Sequence, residues 1–569
     1  MAAPLSSSLE ARREQIFPTL TGAEIHRLER FGSVHPYPAG SALLRAGSTS
    51  PGLQVILSGS ARVQPHDEHL REREIVTHQT GSLVGELAGL SGTASLVDVI
   101  ATTDVEALLI STARLRDLLV EDVELGERIM RALILRRVAL LESRIVGPII
   151  VGRETQRDVL RLEGFLSNNG YPHRRLDPET DSCARTLLER FELKHDDLPI
   201  VLCPNGTLLR NPTENQLARC LGLMHVVDRD TLYDVAIVGA GPAGLGTAVY
   251  AASEGLKVAV LDCRAFGGQA GASARIENYL GFPTGIRGLA LMARAHTQAQ
   301  KFGAEMIIPA QVQTLSEESS GAAKRFQLTL ADGDVLSSRS IVIASGAEYR
   351  RLPVPNLADF EGTSVHYWAS PVEARLCAAQ EVALVGGGNS AGQAAVYLSS
   401  RVPKVRMFVR GRSLDLTMSR YLCERIAAQP NIEVLLETEI IALEGQQGEL
   451  QSITWRDRRT GTAAKRPLQH LFLFIGAEPH TSWLGPCEVE ADAKGFVRAD
   501  PFAGNGRLPF ETTRAGVFAI GDVRSGSIKR VAAAVGEGAQ VVATLHQYLN
   551  RSGQGPAAIA AAAGEAAHG

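Results

Sequence analysis

A glycine-rich turn in the middle of the chain has the spacing of a dinucleotide-binding site. Gly239, Gly241 and Gly244 follow an apolar run that predicts a strand, and a helical pattern and a second apolar run ending in Asp262 come after them. The first glycine of such a turn permits the tight bend, the second lets a pyrophosphate approach the backbone, and the third lets helix and strand pack closely. The helix N-terminus stabilises phosphate charge, and an acidic residue about 20 positions on binds a ribose hydroxyl. This stretch therefore predicts a site for an adenine dinucleotide.

A second unit of the same kind extends from Glu381 to Arg412. Its strand after the helix ends in Arg410 and Arg412, with no acidic residue before Asp415. An acidic residue at that strand end selects NADH, whereas cations bind the 2′-phosphate of NADPH. The sequence therefore predicts NADPH as the second dinucleotide. Its predicted binding residues are Gly386, Gly388, Asn389, Ser390, Arg410 and Arg412.

The order and separation of the two turns resemble the thioredoxin reductase family of flavoproteins. Five further segments resemble that family's flavin domain: GGQA from Gly267, ENYLGFP from Glu277, IVIASGA from Ile341, FLFIGAEPHTSWL from Phe472 and GVFAIGDVRSG from Gly516. The resemblance spans Leu232 to Asn550 and implies that FAD is the first dinucleotide. It implies that Asp522 binds the flavin ribitol and that a helix starting near Arg530 points its N-terminus at the flavin. The FAD residues implied are Gly239, Gly241, Gly244, Asp262, Gly268, Gln269, Asn278, Gly521, Asp522, Arg530, Val531 and Ala532.

The segment YWASPVEARLC, from Tyr367, lies between the two turns and is where that family carries its redox-active CxxC motif. Here Trp368 and Pro371 occupy the two cysteine positions. The resemblance therefore implies transfer from NADPH to FAD without the dithiol that passes electrons on to an external disulfide. Cys377 is the nearest candidate for a catalytic thiol, and alignment to the family predicts that it begins a strand of the nicotinamide domain.

The seven cysteines have neither a CxxC pair nor the spacing of metal ligands. They are Cys183, Cys203, Cys220, Cys263, Cys377, Cys423 and Cys487. Each is predicted to be a reduced and mostly buried small side chain. No metal site is predicted.

The chain has 569 residues, which is too long for one core and indicates several domains. Its 45% hydrophobic and 21% charged residues are typical of a soluble globular protein. A net charge of -4 provides no electrostatic footprint for nucleic acid or anionic lipid. The N-terminal sequence lacks the apolar region of a signal peptide, and no run of about 18 apolar residues occurs. We therefore predict a cytoplasmic protein without nucleic-acid or membrane partners.

Short β-type runs fill residues 31 to about 111, and a helical pattern follows from Val123 to Arg144. Together with the cassette-like GELAGLSGTASLVDVIA from Gly85, they resemble a cyclic-nucleotide-binding domain. Glu86 fits the cassette residue that binds the ribose, but Ser95 occupies the position of the arginine that pairs with the cyclic phosphate. A serine offers one neutral hydrogen bond in place of a bidentate, charge-assisted contact. We therefore expect a regulatory or dimerisation module that binds cyclic nucleotides weakly or not at all.

Residues 147 to 224 alternate strand and helix patterns, with a hairpin turn at Asn205-Gly206. The order resembles a thioredoxin or glutaredoxin fold, with Pro199 at the position of that family's cis-proline. GRETQ, from Gly152, stands where a CxxC would follow the first strand, so no thiol is predicted there for exchange. We expect a docking or spacer domain.

The predicted fold class is multidomain: a β-barrel with helices, a thioredoxin-like α/β domain, and two Rossmann-like domains for FAD and NADPH. The predicted boundaries are 1–145 for the cyclic-nucleotide-binding-like domain, 146–225 for the thioredoxin-like domain, 231–360 and 477–550 for the FAD domain, 361–476 for the NADPH domain, and 551–569 for a disordered tail.

Three functions are compatible with these features. The favoured one is an NADPH-dependent FAD oxidoreductase whose reduced flavin passes electrons directly to a small-molecule or protein acceptor. The second is a disulfide reductase that uses an unpaired cysteine or the thiols of a thioredoxin-like partner. The third is a nucleotide-gated redox sensor. The amphipathic helix after the barrel suits self-association, so a homodimer is expected.

Overall fold

The computed structural model describes residues 10–65, 75–85, 88–91, 94–143, 147–154, 156–191, 193, 197–224, 227–320, 323–369, 371–446, 448–484, 487–502, 504 and 506–551. The chain forms two compact units. The first comprises residues up to 154, 162–227 and 297–310, and the second comprises residues 155–161, 228–296 and 311 onward. The predicted tail after residue 551 and the cassette residue Glu86 lie outside the described residues.

Two four-stranded antiparallel sheets form the N-terminal module. One pairs Ser33–Tyr37, Val105–Ser111, Gly52–Ser58 and Leu83–Val84 in that order, and the other pairs Ala42–Leu44, Asp98–Ala101, Ser60–Gln64 and Val76–Gln79. Leu53, Val55, Leu108 and Ile110 are buried in one hydrophobic core. These apolar side chains recur at every second position, which places them on one face of their strands. The predicted antiparallel β module is confirmed.

A long helix, Val123–Ser143, follows the sheets, as its helical pattern predicts. Shorter helices of this module are Arg13–Ile16, Gly22–Glu29, Ala88–Ser91 and Thr112–Glu121. Arg136 on the long helix is buried and donates hydrogen bonds to the carbonyl oxygens of Ile16 at 2.9 Å, Leu83 at 3.0 Å and Gly85 at 2.8 Å. The long helix is therefore joined to the first residue of the predicted cassette.

The middle module contains a mixed sheet with the strand order Arg174–Leu176, Ile149–Val151, Ile200–Leu202 and Leu208–Arg210. The first pair is parallel and the others are antiparallel. Its helices are Arg157–Asn168, Ser182–Arg190 and Glu214–Cys220. The predicted cis peptide bond precedes Pro199, and the predicted hairpin joins the last two strands. The alternation of strands and helices is confirmed, and the resemblance to a thioredoxin fold stays a prediction.

The prediction that every cysteine is reduced is wrong for two of them. Cys203, just after the strand Ile200–Leu202, forms a disulfide with Cys220, the last residue of the helix Glu214–Cys220, and their Cα atoms lie 6.6 Å apart. Their separation of 17 residues is no recognised motif. The hairpin between them folds the helix back onto the sheet and brings them together. Cys183 and Cys263 are free but exposed, against the expectation of burial.

A parallel sheet supports the first glycine turn. Four of its strands pair in the order Val258–Leu261, Val235–Val238, Ile341–Ile343 and Val517–Ala519. The helix Pro242–Ser253 follows the turn and lies against the long helix Val531–Arg551, where the hydroxyl of Thr247 donates to the carbonyl of Gly538 at 3.2 Å. The start of this last helix at Val531 agrees with the predicted position.

A second parallel sheet supports the other glycine turn. Its strands pair in the order Val365–His366, His470–Leu473, Glu381–Val385, Lys404–Val409 and Ile432–Leu436. The helix Asn389–Ser399 follows the turn and packs against the sheet through Ala391, Ala395 and Leu398, which are fully buried. The prediction of two Rossmann-like domains is confirmed.

Cys377 does not begin a strand, contrary to the prediction. It directly follows the short helix Pro371–Leu376, and the strand starts at Glu381. Between them the chain turns at Ala379, which has a φ of 64°, and the amide of Gln380 donates to the carbonyl of Cys377 at 3.0 Å. Alanine rarely adopts a positive φ, so this turn has no signature in the sequence.

The structure has further strands and helices besides those named above. The strands are Leu232–Tyr233, Glu305–Ile307, Val312–Ser320, Ala323–Leu330, Val335–Ser338, Ala347–Tyr349, Thr438–Gln446, Glu449–Asp457, Ala463–Pro467 and Ala477–Pro479, and the helices are Gly268–Gly271, Gly288–Lys301, Leu357–Phe360, Arg420–Ala427, Ser482–Leu484 and Gly521–Val523. Among the described residues, no helix combines the length and apolar character needed to cross a membrane.

Candidate functional site

A cavity of about 900 Å³ lies in the second unit, and both glycine turns contribute to its wall. The predicted cofactor residues in the wall are Gly239, Gly241, Asp262, Gly268, Gln269, Asn278, Asn389, Ser390, Asp522, Arg530 and Val531. The predicted residues that do not line it are Gly244, Gly386, Gly388, Arg410, Arg412, Gly521 and Ala532. The structure therefore brings residues predicted for two different dinucleotides to one cavity.

The first turn has space for a ligand at its central glycine and none for side chains at the other two. Gly239 has a φ of 115°, and a Cβ there would lie 2.2 Å from the carbonyl oxygen of Ala344. A Cβ on Gly244 would lie 1.9 Å from the carbonyl oxygen of Gly239. At Gly241 the nearest atom is 3.9 Å away. The helix begins at Pro242, so its unpaired N–H groups and positive dipole end adjoin this space, which suits a pyrophosphate.

Asp262 closes the same turn from the end of the second strand. One carboxylate oxygen accepts the amide of Ala240 at 2.9 Å, and the other accepts the amide of Arg264 at 3.1 Å. Burial raises the pKa of Asp262, and these backbone hydrogen bonds oppose that rise. The carboxylate is thus fixed in the cavity wall, in a position to accept a ribose hydroxyl.

The residues on either side of Asp522, which also lines the cavity, bind the last helix. Glu537 of that helix accepts the amide of Gly521 at 2.7 Å and pairs with Arg524 at 2.6 Å. Lys529, also in the wall, donates to the backbone carbonyl of Asp522 at 2.9 Å. Burial raises the pKa of Asp522 and lowers that of Lys529. Sequence reasoning missed Lys529 and Glu537, although both lie in the region that resembles the family's flavin domain, 7 and 16 residues after the groups that they bind.

The second turn has the same construction as the first. Gly386 has a φ of 143°, and a Cβ there would lie 2.4 Å from the carbonyl oxygen of Phe474. The helix starts at Asn389, whose side-chain oxygen accepts the amide of Ser419 at 2.7 Å. Asn389 and Ser390 therefore present the first turn of this helix to the cavity. The residues present fit two dinucleotides, one at each turn.

Arg410 and Arg412 are exposed at the end of the strand Lys404–Val409. Arg412 pairs with Glu437 at 3.3 Å. Neither arginine lines the cavity. Their assignment to the 2′-phosphate stays a prediction.

Trp368 lies in the cavity wall. Its indole N–H donates to a carboxylate oxygen of Glu373 at 2.9 Å. Glu373 belongs to the helix that begins at Pro371. At the two positions where related enzymes have cysteines, this chain therefore has the half-buried indole of Trp368 and the first residue of a helix, Pro371. Tyr349, another wall residue, has a pKa raised to about 12 by burial and remains a neutral phenol.

Cys377 is fully buried and does not line the cavity. Burial raises the pKa of its thiol to about 12. Because the thiolate is the reactive form of cysteine, this residue is a poor nucleophile in the described conformation.

Ser95 in the N-terminal module is buried, and its hydroxyl donates to the carbonyl of Val97 at 2.9 Å. It is therefore engaged in a local turn. This neutral hydroxyl stands where the related domains have the cationic side chain of arginine. We retain the prediction of weak or absent cyclic nucleotide binding, which micromolar affinity for cyclic AMP in calorimetry would contradict.

A family model described as pyridine nucleotide-disulphide oxidoreductase matches residues 233–538, which is more than half of the chain. The chain belongs to this family. A second model, the cyclic nucleotide-binding domain, matches residues 34–122. The chain therefore carries an N-terminal cyclic nucleotide-binding domain followed by the oxidoreductase.

The chain is 32% identical over 321 residues to a thioredoxin reductase of Treponema pallidum (strain Nichols), covering 56% of this chain and 98% of the relative. It is 31% identical to NADPH-dependent thioredoxin reductase 3 of Arabidopsis thaliana, covering 60% of this chain and 65% of that protein. It is 29% identical to an NADH dehydrogenase of Bacillus subtilis (strain 168), covering 56% of this chain and 59% of that protein.

Two solved thioredoxin reductases have the same fold in this region. The enzyme of Lactococcus lactis, in the FR conformation, has a TM-score of 0.51 and 26% identity, covering 56% of this chain and 99% of that one. The enzyme of T. acidophilum has a TM-score of 0.51 and 28% identity, with the same coverage. The chain is thus an NADPH-dependent flavoprotein oxidoreductase of thioredoxin reductase type, and FAD and NADPH are its cofactors.

Proposed function

We propose that this chain moves electrons from NADPH, through FAD, directly to an acceptor that is a small molecule or another protein. The observation that carries the proposal is Trp368, which stands in the cavity wall at the first cysteine position of the related enzymes. Neither it nor Pro371 can form a disulfide. Cys377 is outside the wall and is held as a thiol.

The two turns have separate roles in this proposal. When bound, NADPH would supply two electrons and FAD would hold them for the acceptor. Gly241 and the start of the helix Pro242–Ser253 would bind the FAD pyrophosphate, and Asp262 the adenosine ribose. Asp522 would bind the ribitol. The N-terminus of the helix Val531–Arg551 would stabilise negative charge on the flavin.

The nicotinamide cofactor would enter from the second turn. Asn389 and Ser390 would present the helix N-terminus to its phosphates, in the cavity that Gly241 and Asp522 also line. In this proposal both cofactors would occupy the one cavity that these residues line.

The acceptor is identified by anaerobic NADPH turnover against a quinone, a ferric chelate and a small disulfide, with oxygen consumption measured separately. We expect the quinone or the ferric chelate to be reduced at least about tenfold faster than the disulfide, equivalent to about 1.4 kcal/mol in activation free energy. Preferential turnover of the disulfide would overturn the proposal. Absence of NADPH oxidation with every acceptor would favour the redox-sensor alternative.

A second candidate function, disulfide reduction with a thioredoxin-like partner, is favoured by one observation. The middle module contains the Cys203–Cys220 disulfide, a two-electron acceptor that the sequence did not predict. In this alternative the flavin would reduce that disulfide or a partner's. The test variant is the double replacement Cys203→Ser with Cys220→Ser. Its matched control replaces the two exposed free cysteines together, Cys183→Ser with Cys263→Ser.

The choice of NADPH over NADH is proposed to depend on Arg410 and Arg412. Replacing both by Ala removes charge-assisted phosphate contacts worth about 1.5 to 3 kcal/mol. The KM for NADPH should therefore rise about 10- to 150-fold more than the KM for NADH. Arg420→Ala is the control, since Arg420 is exposed in the same domain and pairs with Glu424 of its own helix. Equal changes for both nucleotides would contradict the assignment.

A further inference from the structure

Three side chains with metal-binding atoms meet in the interior of the nicotinamide domain. They are His366, Cys377 and His470, all buried, and one nitrogen or sulfur atom from each lies within 4.8 Å of the other two. Nε2 of His366 and Nδ1 of His470 lie 3.1 Å apart. The glycine turns and the cavity residues described above do not use this cluster.

The sheet places the two histidines on one face. His366 is in register with Phe472 on the neighbouring parallel strand, and His470 lies two residues before Phe472, so its side chain projects to the same side. Cys377 packs against this face together with Phe472 and Val382. Its position follows from the turn at Ala379, which directs the chain from the short helix Pro371–Leu376 into the sheet. Three separate segments of the domain therefore converge on one point.

We propose that His366, Cys377 and His470 form a binding site for a d10 transition-metal cation, with Cu⁺ preferred over Zn²⁺. Imidazole and thiolate are the ligands that both ions favour. A neutral imidazole has one lone pair to offer a cation.

The proton balance of binding is simple. Without metal, one of the two facing nitrogens donates to the other, as their 3.1 Å separation requires. On binding, that proton moves to the far nitrogen of the same ring, so both histidines remain neutral and both inner nitrogens bind the cation. The Cys377 thiol loses its proton to solvent, because a coordinated thiol is deprotonated.

The number and charge of the ligands decide between the two ions. One thiolate and two neutral imidazoles neutralise Cu⁺ completely, whereas Zn²⁺ would leave a net positive charge in the domain core, which is costly to bury. Zinc in structural sites also takes four ligands, and the group that the described residues form has three. Three-coordination by one sulfur and two nitrogens is common for Cu⁺.

The site would have a structural consequence next to the cavity. His366 and Trp368 are two residues apart, and the helix between Trp368 and Cys377 carries Glu373, which holds the indole. A metal bound by His366 and Cys377 would tie both ends of this segment to the strand that begins at His470. The segment that holds a dithiol in related enzymes would here be fixed by a metal.

The test uses the full chain with FAD bound, in a Cys183→Ser, Cys263→Ser background, because these exposed thiols would bind Cu⁺ themselves. Metal content is measured after anaerobic loading with Cu⁺ or Zn²⁺ and gel filtration, and affinity by competition with a chromogenic Cu⁺ chelator. We expect about one Cu⁺ per chain, with Zn²⁺ bound more weakly. Cys377→Ala should weaken Cu⁺ binding by more than the roughly 10- to 100-fold that loss of an outer partner causes.

Cys423→Ala is the matched control, since Cys423 is a free cysteine that packs against the same core outside the cluster. It should bind Cu⁺ like the parent. X-ray absorption of the loaded parent should show one sulfur and two nitrogens at the metal, and Cys377→Ser should lose the sulfur while keeping the FAD content. Equal Cu⁺ affinity in the parent and Cys377→Ala, or no bound metal in the parent, would overturn the site. Tighter Zn²⁺ than Cu⁺ would overturn the preference.

Discussion

Gly239→Ala should yield protein that is almost free of FAD. The new Cβ would lie 2.2 Å from the carbonyl oxygen of Ala344 and 2.5 Å from its carbonyl carbon, and these backbone atoms belong to the neighbouring strand end. The φ of 115° is also a conformation that only glycine adopts readily. Strain and overpacking together cost about 2 to 6 kcal/mol, so FAD should bind at least about 25-fold more weakly. The measurement is the ratio of flavin to protein after purification, followed by titration with FAD.

Gly246→Ala, on the helix that follows the turn, provides the control. A Cβ at Gly246 would meet its nearest atom, the carbonyl oxygen of Val535, at 3.4 Å, which is an ordinary contact. Alanine is also a better helix former than glycine. This variant should keep its flavin. If Gly239→Ala purifies with the same flavin content as Gly246→Ala, the first turn does not hold FAD.

The two nucleotide turns could be predicted from the sequence because each depends on a local requirement. Gly239 and Gly386 have no space for a Cβ, and no other residue readily adopts their positive φ. Because such glycines occur at a fixed spacing between a strand and a helix, the pattern can be recognised in the sequence without knowledge of any contact in the folded chain. Asp262 was placed by its position directly after the second strand, whereas Asp522 was implied by the family resemblance.

The groups that sequence reasoning missed are held together by distant contacts. Cys203 and Cys220 pair only because a hairpin returns the last helix of the middle module to its sheet. His366 and His470 are separated by 104 residues and are joined by the register of two parallel strands. Spacing along the chain contains no information on any of these pairs.

The position of Cys377 shows a different kind of failure. Alignment predicted a strand start, and the structure has a turn at Ala379 instead. The energetic cost of a positive φ at alanine is about 1 kcal/mol, which the surrounding core offsets without leaving a glycine or asparagine in the sequence. The resulting burial of the Cys377 thiol makes it a poor candidate for a reactive cysteine.

Anaerobic reduction of the purified protein should bleach the flavin with two electrons per FAD and produce no long-wavelength charge-transfer band. In relatives with a dithiol such a band comes from a thiolate beside the oxidised flavin, and the dithionite titration tests for it without the nicotinamide–flavin charge transfer that NADPH itself can produce. Position 368 is an indole held by Glu373, position 371 has no sulfur, and Cys377 is kept as a thiol outside the cavity. The measurement is a stepwise titration with NADPH and, separately, with dithionite, followed by absorbance.

Restoring the cysteine pair should change both results. Trp368→Cys with Pro371→Cys should raise the uptake by two electrons and create the band, because the segment between them borders the cavity through Trp368 and Ala369. Trp368→Ser with Pro371→Ser is the matched control, since it makes the same loss of bulk without sulfur. Equal uptake by the cysteine and serine variants would show that this segment does not reach the flavin.

The unaltered protein gives the decisive result. An uptake of four electrons would reveal a second redox centre, and the Cys203–Cys220 disulfide is the group that can accept the extra pair. If Cys203→Ser with Cys220→Ser returned the uptake to two while Cys183→Ser with Cys263→Ser left it at four, direct transfer from the flavin would be displaced as the proposed function. Electrons would then pass to the disulfide in the middle module. This cysteine pair, which the fold brings together without a sequence motif, would take the place of the missing CxxC.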